Sequence, residues 1–244
     1  MKMMQAAAIL ALGAGPLLTQ PAWAQSALPS DFVYLRTVDP SIAQDIRYAG
    51  SNNFTGRPIA GYEAGECILR REVAAALLRV QADLAPSGLG LKVYDCYRPS
   101  RAVRAMAQWA NDGRTDDKRF HPRVEKPNLL DGYISQRSLH STGIAIDLTL
   151  VKKDAASPPN GNRAAPCNAP DRTSDGSIDM GTSYDCLDTD SHTRSPSATK
   201  EQQRARMTLV SAMEKHGFRN YFREWWHFTF PGIGSETHYD FPVR

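Results

Sequence analysis

Apolar residues recur along this chain in three rhythms, and each predicts a different kind of element. Between Arg70 and Leu84, Val73, Leu77, Leu78 and Leu84 stand among alanines and charges at helical spacing, and Pro86-Ser87-Gly88 stops the run. A second helix is expected from Ser100, read as its cap, to about Ala110, with Val103, Met106 and Trp109 on one face. A third covers about Ala198 to His216, with Gly217 as its stop. Strands are expected over Leu89–Tyr94, Ile144–Val151 and Trp225–Phe230. Residues 26–66 read as irregular, punctuated by Pro40, Gly50 and Gly61. Between Lys152 and Lys200 the composition turns to Ser, Pro, Asn, Asp and Thr, which predicts a surface loop. Helices and strands mix without strict alternation, so the expected class is α+β, a single domain with a small antiparallel sheet flanked by helices.

The third rhythm is a continuous apolar run from about Ala6 to Leu18, after Lys2 and before Ala22-Trp23-Ala24. A basic start, an apolar stretch and a small-x-small site predict a secretory signal over residues 1–24, cleaved before Gln25. The run falls short of the ~20 residues that span a bilayer, and no other stretch is apolar enough to cross one. Residues 25–244 are then the functional domain, exported to the periplasm or the medium, with no stable membrane insertion. The net charge of +3 is scattered, so nucleic acid is not an expected partner. Export permits disulfides among Cys67, Cys96, Cys167 and Cys186. Sequence leaves three pairings open; Cys167–Cys186 is favoured because both lie in the polar insertion, where closing the loop stabilises by roughly 3 kcal/mol. The absence of any C-x-x-C excludes a zinc ribbon.

Candidate chemistry sits in two short motifs, Ser138-Leu-His140-Ser-Thr-Gly143-Ile-Ala-Ile-Asp147 and Glu224-Trp-Trp-His227. They supply two imidazoles and a carboxylate for a zinc ion with one position left open, as catalytic sites require, and Glu224 as a base beside it. His140 and Asp147 are an odd number of positions apart and would face oppositely on one strand, so Ser141-Thr142-Gly143 must bend the chain. Trp225, Trp226 and Phe228 favour extended chain around His227. Arg98, in Tyr94-Asp95-Cys96-Tyr97-Arg98-Pro99, is a candidate clamp for a developing oxyanion. The chain reads as a metal-dependent hydrolase.

Taken together, S-x-H-x-x-G-x-A-x-D, E-W-W-H and D-x-Y-R-P resemble the zinc D-alanyl-D-alanine dipeptidases. So do Asp45-Ile-Arg-Tyr48, Asn53-Phe-Thr-Gly-Arg-Pro58, Gly61-Tyr62 and Met180-Gly-Thr-Ser-Tyr-Asp185, over about residues 38–232. The resemblance implies a zinc site in a closed cleft, with one Zn2+ on His140, Asp147 and His227, Glu224 as base and Arg98 steadying the transition state. It also implies that Tyr48 and Asp185 hold the ammonium of a small D-amino-acid peptide and that Ser138 holds the other end. Hydrolysis of D-Ala-D-Ala in cell-wall metabolism is the expected activity. A D,D-carboxypeptidase acting on peptidoglycan stem peptides and a non-catalytic wall-binding module are the alternatives. Oligomeric state is left open.

Overall fold

The computed structural model describes residues 28–114, 117–153, 161, 164–234 and 236–244; the expected export signal at 1–24 lies outside them. The chain enters through β1 (Phe32–Tyr34), a one-turn helix α1 (Leu35–Val38) and β2 (Ala43–Gln44). β3 (Ile68–Arg70) leads into α2 (Arg71–Leu84), which buries Val73, Leu77, Val80 and Leu84 along one stripe. Pro86 and a left-handed Gly88 turn the chain into β4 (Leu89–Asp95). Helix α3 (Ser100–Ala110) follows, then β5 (Ala145–Lys152), α4 (Lys200–Lys215), β6 (Arg219–Asn220) and β7 (His227–Thr229).

The main sheet has the order β2-β4-β5-β7-β6, and β1 and β3 form a separate antiparallel pair. Every pairing in the main sheet is antiparallel except β2 with β4, which corrects the all-antiparallel expectation. The connection from β2 to β4 carries α2, and a helical crossover is what parallel neighbours need. Helices α2 and α4 pack on each other and reach β4 and β5. The core joins α2 and α4 (Leu77, Val80, Leu209, Met213) to the strands (Leu91, Val93, Ile146, Leu148, Phe228).

Three local expectations are corrected. Ser100 does not cap α3: Pro99 occupies that position, and the Ser100 hydroxyl donates instead to Tyr239 O at 2.8 Å. Strand β7 starts only at His227, because His227 N bonds back to Glu224 O at 3.2 Å and folds Trp225-Trp226 into a turn. The described part of the insertion is not merely a surface loop. Met180, Tyr184, Leu187 and Asp188 are buried, and Ile178 N bonds to Leu150 O at 2.8 Å. Its apolar residues are too sparse to show a period, and three of its carbonyls are satisfied from outside it. Buried Arg206 on α4 donates to Met180 O, His192 O and Asp190 O at 2.6–2.9 Å.

Both disulfides are intramolecular, Cys67–Cys96 and Cys167–Cys186, in agreement with the favoured pairing. Among the described residues no helix is long and apolar enough to cross a membrane.

Candidate metal centre and active site

Sheet register assembles the site. Asp147 on β5 pairs with Asp95 on β4 and with His227 on β7, so three adjacent strands bring these residues into one row. A register shift on β4 between Val93 and Asp95 adjusts the row, as bulges near functional sites do. His140 reaches the same point from the turn Leu139–Thr142, which Ser138 caps by accepting from His140 N at 3.3 Å. Gly143 then makes the required bend at φ +75°, where a Cβ would run into the Phe32 ring. This answers the odd spacing: His140 stands in the turn before β5, not on it.

Three ligand atoms converge there. His140 Nε2 lies 3.2 Å from His227 Nδ1 and 3.3 Å from Asp147 Oδ1, and His227 Nδ1 lies 3.0 Å from the same oxygen. His140 Nδ1 is 2.7 Å from the Cys96 carbonyl, which can only accept, so the proton sits on Nδ1 and the Nε2 lone pair faces inward. A tetrahedral zinc with arms of about 2.0–2.1 Å needs donors roughly 3.3 Å apart. Two imidazoles and a carboxylate at these separations therefore fit zinc in chemistry and in spacing. Buried Asp147 is held far below the usual carboxylate range: burial opposes ionisation, but His140 and His227 outweigh it. Burial, against the pull of Asp147, keeps His227 below the usual imidazole range.

Around these atoms lies a cavity of about 350 Å³ lined by Tyr48, Arg98, Ser138, Asp185 and Glu224 together with the ligand residues. Glu224 Oε2 is 3.8 Å from His227 Nδ1. Its carboxyl is raised well above the usual range, by burial first and then by the charges of Asp147 and Asp185. Arg98 donates to Asp95 Oδ2 through Nε at 2.9 Å, and one of its terminal nitrogens lies 2.8 Å from the same oxygen. That terminal nitrogen is 3.6 Å from Asp147 Oδ2. Tyr62 donates to the other Asp95 oxygen at 2.5 Å, so the carboxylate that aims Arg98 is itself fixed.

A chain of hydroxyls links Asp185 to the ligand carboxylate. Contacts run Asp185 Oδ1–Tyr48 at 3.0 Å, Tyr48–Tyr184 at 3.1 Å and Tyr184–Asp147 Oδ2 at 3.0 Å. Two phenols carry two protons, so three contacts need a third proton on one of the end carboxyls; Asp147 is held ionised, which places that proton on Asp185, donating to Tyr48. Burial, reinforced by Asp147, pushes the Asp185 carboxyl up to about 8. Among the described residues Asp185 Oδ2 has no hydrogen-bond partner although it is buried, and the backbone there is left-handed at φ +59°. A strained residue aiming an unsatisfied oxygen into a cavity is the pattern of a ligand contact.

All eight candidates, His140, Asp147, His227, Glu224, Arg98, Ser138, Tyr48 and Asp185, thus line one cavity. Sequence reasoning missed Tyr184, Asp95 and the Cys96 carbonyl. Asp95 and Cys96 lie inside a motif singled out for Arg98, so neighbourhood was a signal; a backbone carbonyl leaves none.

The fold and this donor set define a metallopeptidase. The family model described as D-ala-D-ala dipeptidase matches residues 29–160 and 167–244. The chain belongs to that family. It is 31% identical over 217 residues to a D-alanyl-D-alanine dipeptidase of Enterococcus faecium, covering 87% of this chain and 98% of the relative. A D-alanyl-D-alanine dipeptidase of Streptomyces coelicolor is 33% identical over 221 residues, covering 88% and 100%. A solved vancomycin-resistance D,D-pentapeptidase in complex with Zn(II) aligns with 72% of this chain and 79% of its own, at 14% identity and a TM-score of 0.39.

Proposed function

We infer that this protein is a zinc-dependent D-alanyl-D-alanine dipeptidase that releases two D-alanines. The observation that carries the reading is the convergence of His140 Nε2, His227 Nδ1 and Asp147 Oδ1 beside Glu224, in a chain of this family. When bound, zinc supplies an acidified water and polarises the scissile carbonyl. Glu224 takes a proton from the attacking water and delivers it to the departing amine. Arg98, held by Asp95, faces the charge that grows on the carbonyl oxygen. Asp185 with Tyr48 receives the substrate ammonium, which gives the unsatisfied Asp185 Oδ2 its partner and favours the ionised carboxylate. Ser138 holds the opposite end.

Export through a signal over residues 1–24 is part of this proposal. The Lys2 and Ala22-Trp23-Ala24 pattern supports it, and so do two disulfides, which persist in oxidising compartments.

The test is release of D-alanine from D-Ala-D-Ala by the zinc-loaded protein, with and without chelator. Chelator-sensitive release is expected. No release from the dipeptide, but release from a stem pentapeptide, would transfer the reading to a D,D-carboxypeptidase. Glu224→Gln is expected to keep zinc while kcat falls by about 10²- to 10⁴-fold.

A further inference from the structure

Charge bookkeeping in the cavity leaves one cation without an assigned task. A free dipeptide brings an ammonium and a carboxylate, and the charged lining beside the histidines is Arg98, Arg137, Asp147, Asp185 and Glu224. Arg98 is committed to Asp95 and stands beside Asp147, at the reacting end. Arg137 has no carboxylate partner among the described residues. Its backbone is pinned by Ser135, whose Oγ donates to Arg137 O at 2.6 Å and accepts from Arg137 N at 3.1 Å. Arg137 Nε donates to His238 Nε2 at 2.8 Å. That bond needs a neutral imidazole, and burial together with the Arg137 charge holds His238 below its usual range. The side chain is thus aimed from the C-terminal segment while both terminal nitrogens make no hydrogen bond to described residues. Two parallel donors on an exposed, pre-aimed guanidinium match a carboxylate in shape and charge.

We propose that Arg137 is a specificity-determining residue that binds the C-terminal carboxylate of the dipeptide beside Ser138, with His238 as its positioning group. This rests on the dipeptidase reading and adds to it a reason for preferring a free C-terminus. Losing a charge-assisted pair of this kind corresponds to about tenfold or more in binding.

The experiment compares D-Ala-D-Ala with its C-terminal amide in wild type, Arg137→Ala and Arg137→Lys. Wild type should prefer the acid. Arg137→Ala should raise KM for the acid about tenfold or more with a much smaller change in kcat, and shift kinetics on the amide less than about twofold. Arg137→Lys should restore part of the preference. Equal losses on acid and amide, or no loss on the acid, would overturn the proposal. If wild type hydrolyses neither compound, the dipeptidase reading itself fails. Dissociation constants of the same two compounds, measured by calorimetry on wild type and Arg137→Ala, then decide Arg137 alone: an acid preference lost in the variant supports the assignment, and equal affinities overturn it.

Discussion

Single atoms decide how well this site is aimed. Tyr184 contributes one hydroxyl to Asp147 Oδ2 at 3.0 Å, and its ring stacks on Tyr94 with centroids 4.4 Å apart. Tyr184→Phe keeps the stack and removes only the hydroxyl. Outer-shell partners of metal ligands typically matter by about 10- to 100-fold in metal affinity. The expected outcome is a loss in that range, read by chelator competition, beyond the roughly 1–2 kcal/mol of stability that the metal-free protein loses with the buried hydroxyl, read by its urea midpoint. Asp185 offers a second check. Amino-blocked N-acetyl-D-Ala-D-Ala brings no ammonium to the buried carboxyl, so it should be hydrolysed far more slowly than the free dipeptide. Equal rates on the two substrates would remove Asp185 from the ammonium site.

At the scale of elements, the row Asp95–Asp147–His227 exists only in one register of β4, β5 and β7. The strands were legible because they are apolar and bounded by turn residues; the register was not, because it depends on a shift within β4 that leaves no periodic trace. The bend at Gly143 was legible from the impossible odd spacing of His140 and Asp147. Substituting Ala there forces a left-handed Cβ into Phe32, so Gly143→Ala should cost both stability and metal binding, measurable by urea midpoint and zinc titration. The insertion was misjudged because its burial is achieved through polar anchors. Asp175 accepts from Tyr94 at 2.6 Å and pairs with Arg47 at 2.7 Å and Lys92 at 3.0 Å, tying the insertion to the sheet. Burial opposes its ionisation, but Lys92 and Arg47 prevail and hold its carboxyl well below the usual range. A depressed carboxyl stabilises above its unfolded value of about 3.9, and that contribution fades as pH falls toward the folded value. Asp175→Asn should therefore lose about 2 kcal/mol near neutrality, and the gap from wild type should narrow below about pH 4 in urea unfolding.

For the molecule as a whole, the two cross-links differ in what they touch. Cys67–Cys96 closes a separation of 29 residues and Cys167–Cys186 one of 19. Loop entropy assigns them similar stabilisation, about 3–4 kcal/mol each, so global stability alone would not tell them apart. Geometry does. Cys96 O holds the His140 proton, and the backbone just after it is tied to the ligand turn by Arg98 N–His140 O at 3.2 Å and to β3, beside Cys67, by Tyr97 N–Ile68 O at 2.8 Å. Replacing Cys67 and Cys96 by Ser should weaken zinc binding beyond what the stability loss explains, whereas replacing Cys167 and Cys186 should lower stability and spare zinc. Chelator competition on both pairs, set against their urea midpoints, checks this. Assembly then acquires an order. A chain offered zinc while still reduced would receive it on a loosely aimed imidazole, and one oxidised first would receive it on a finished mount, so the history of a preparation would be readable in how firmly it keeps its metal.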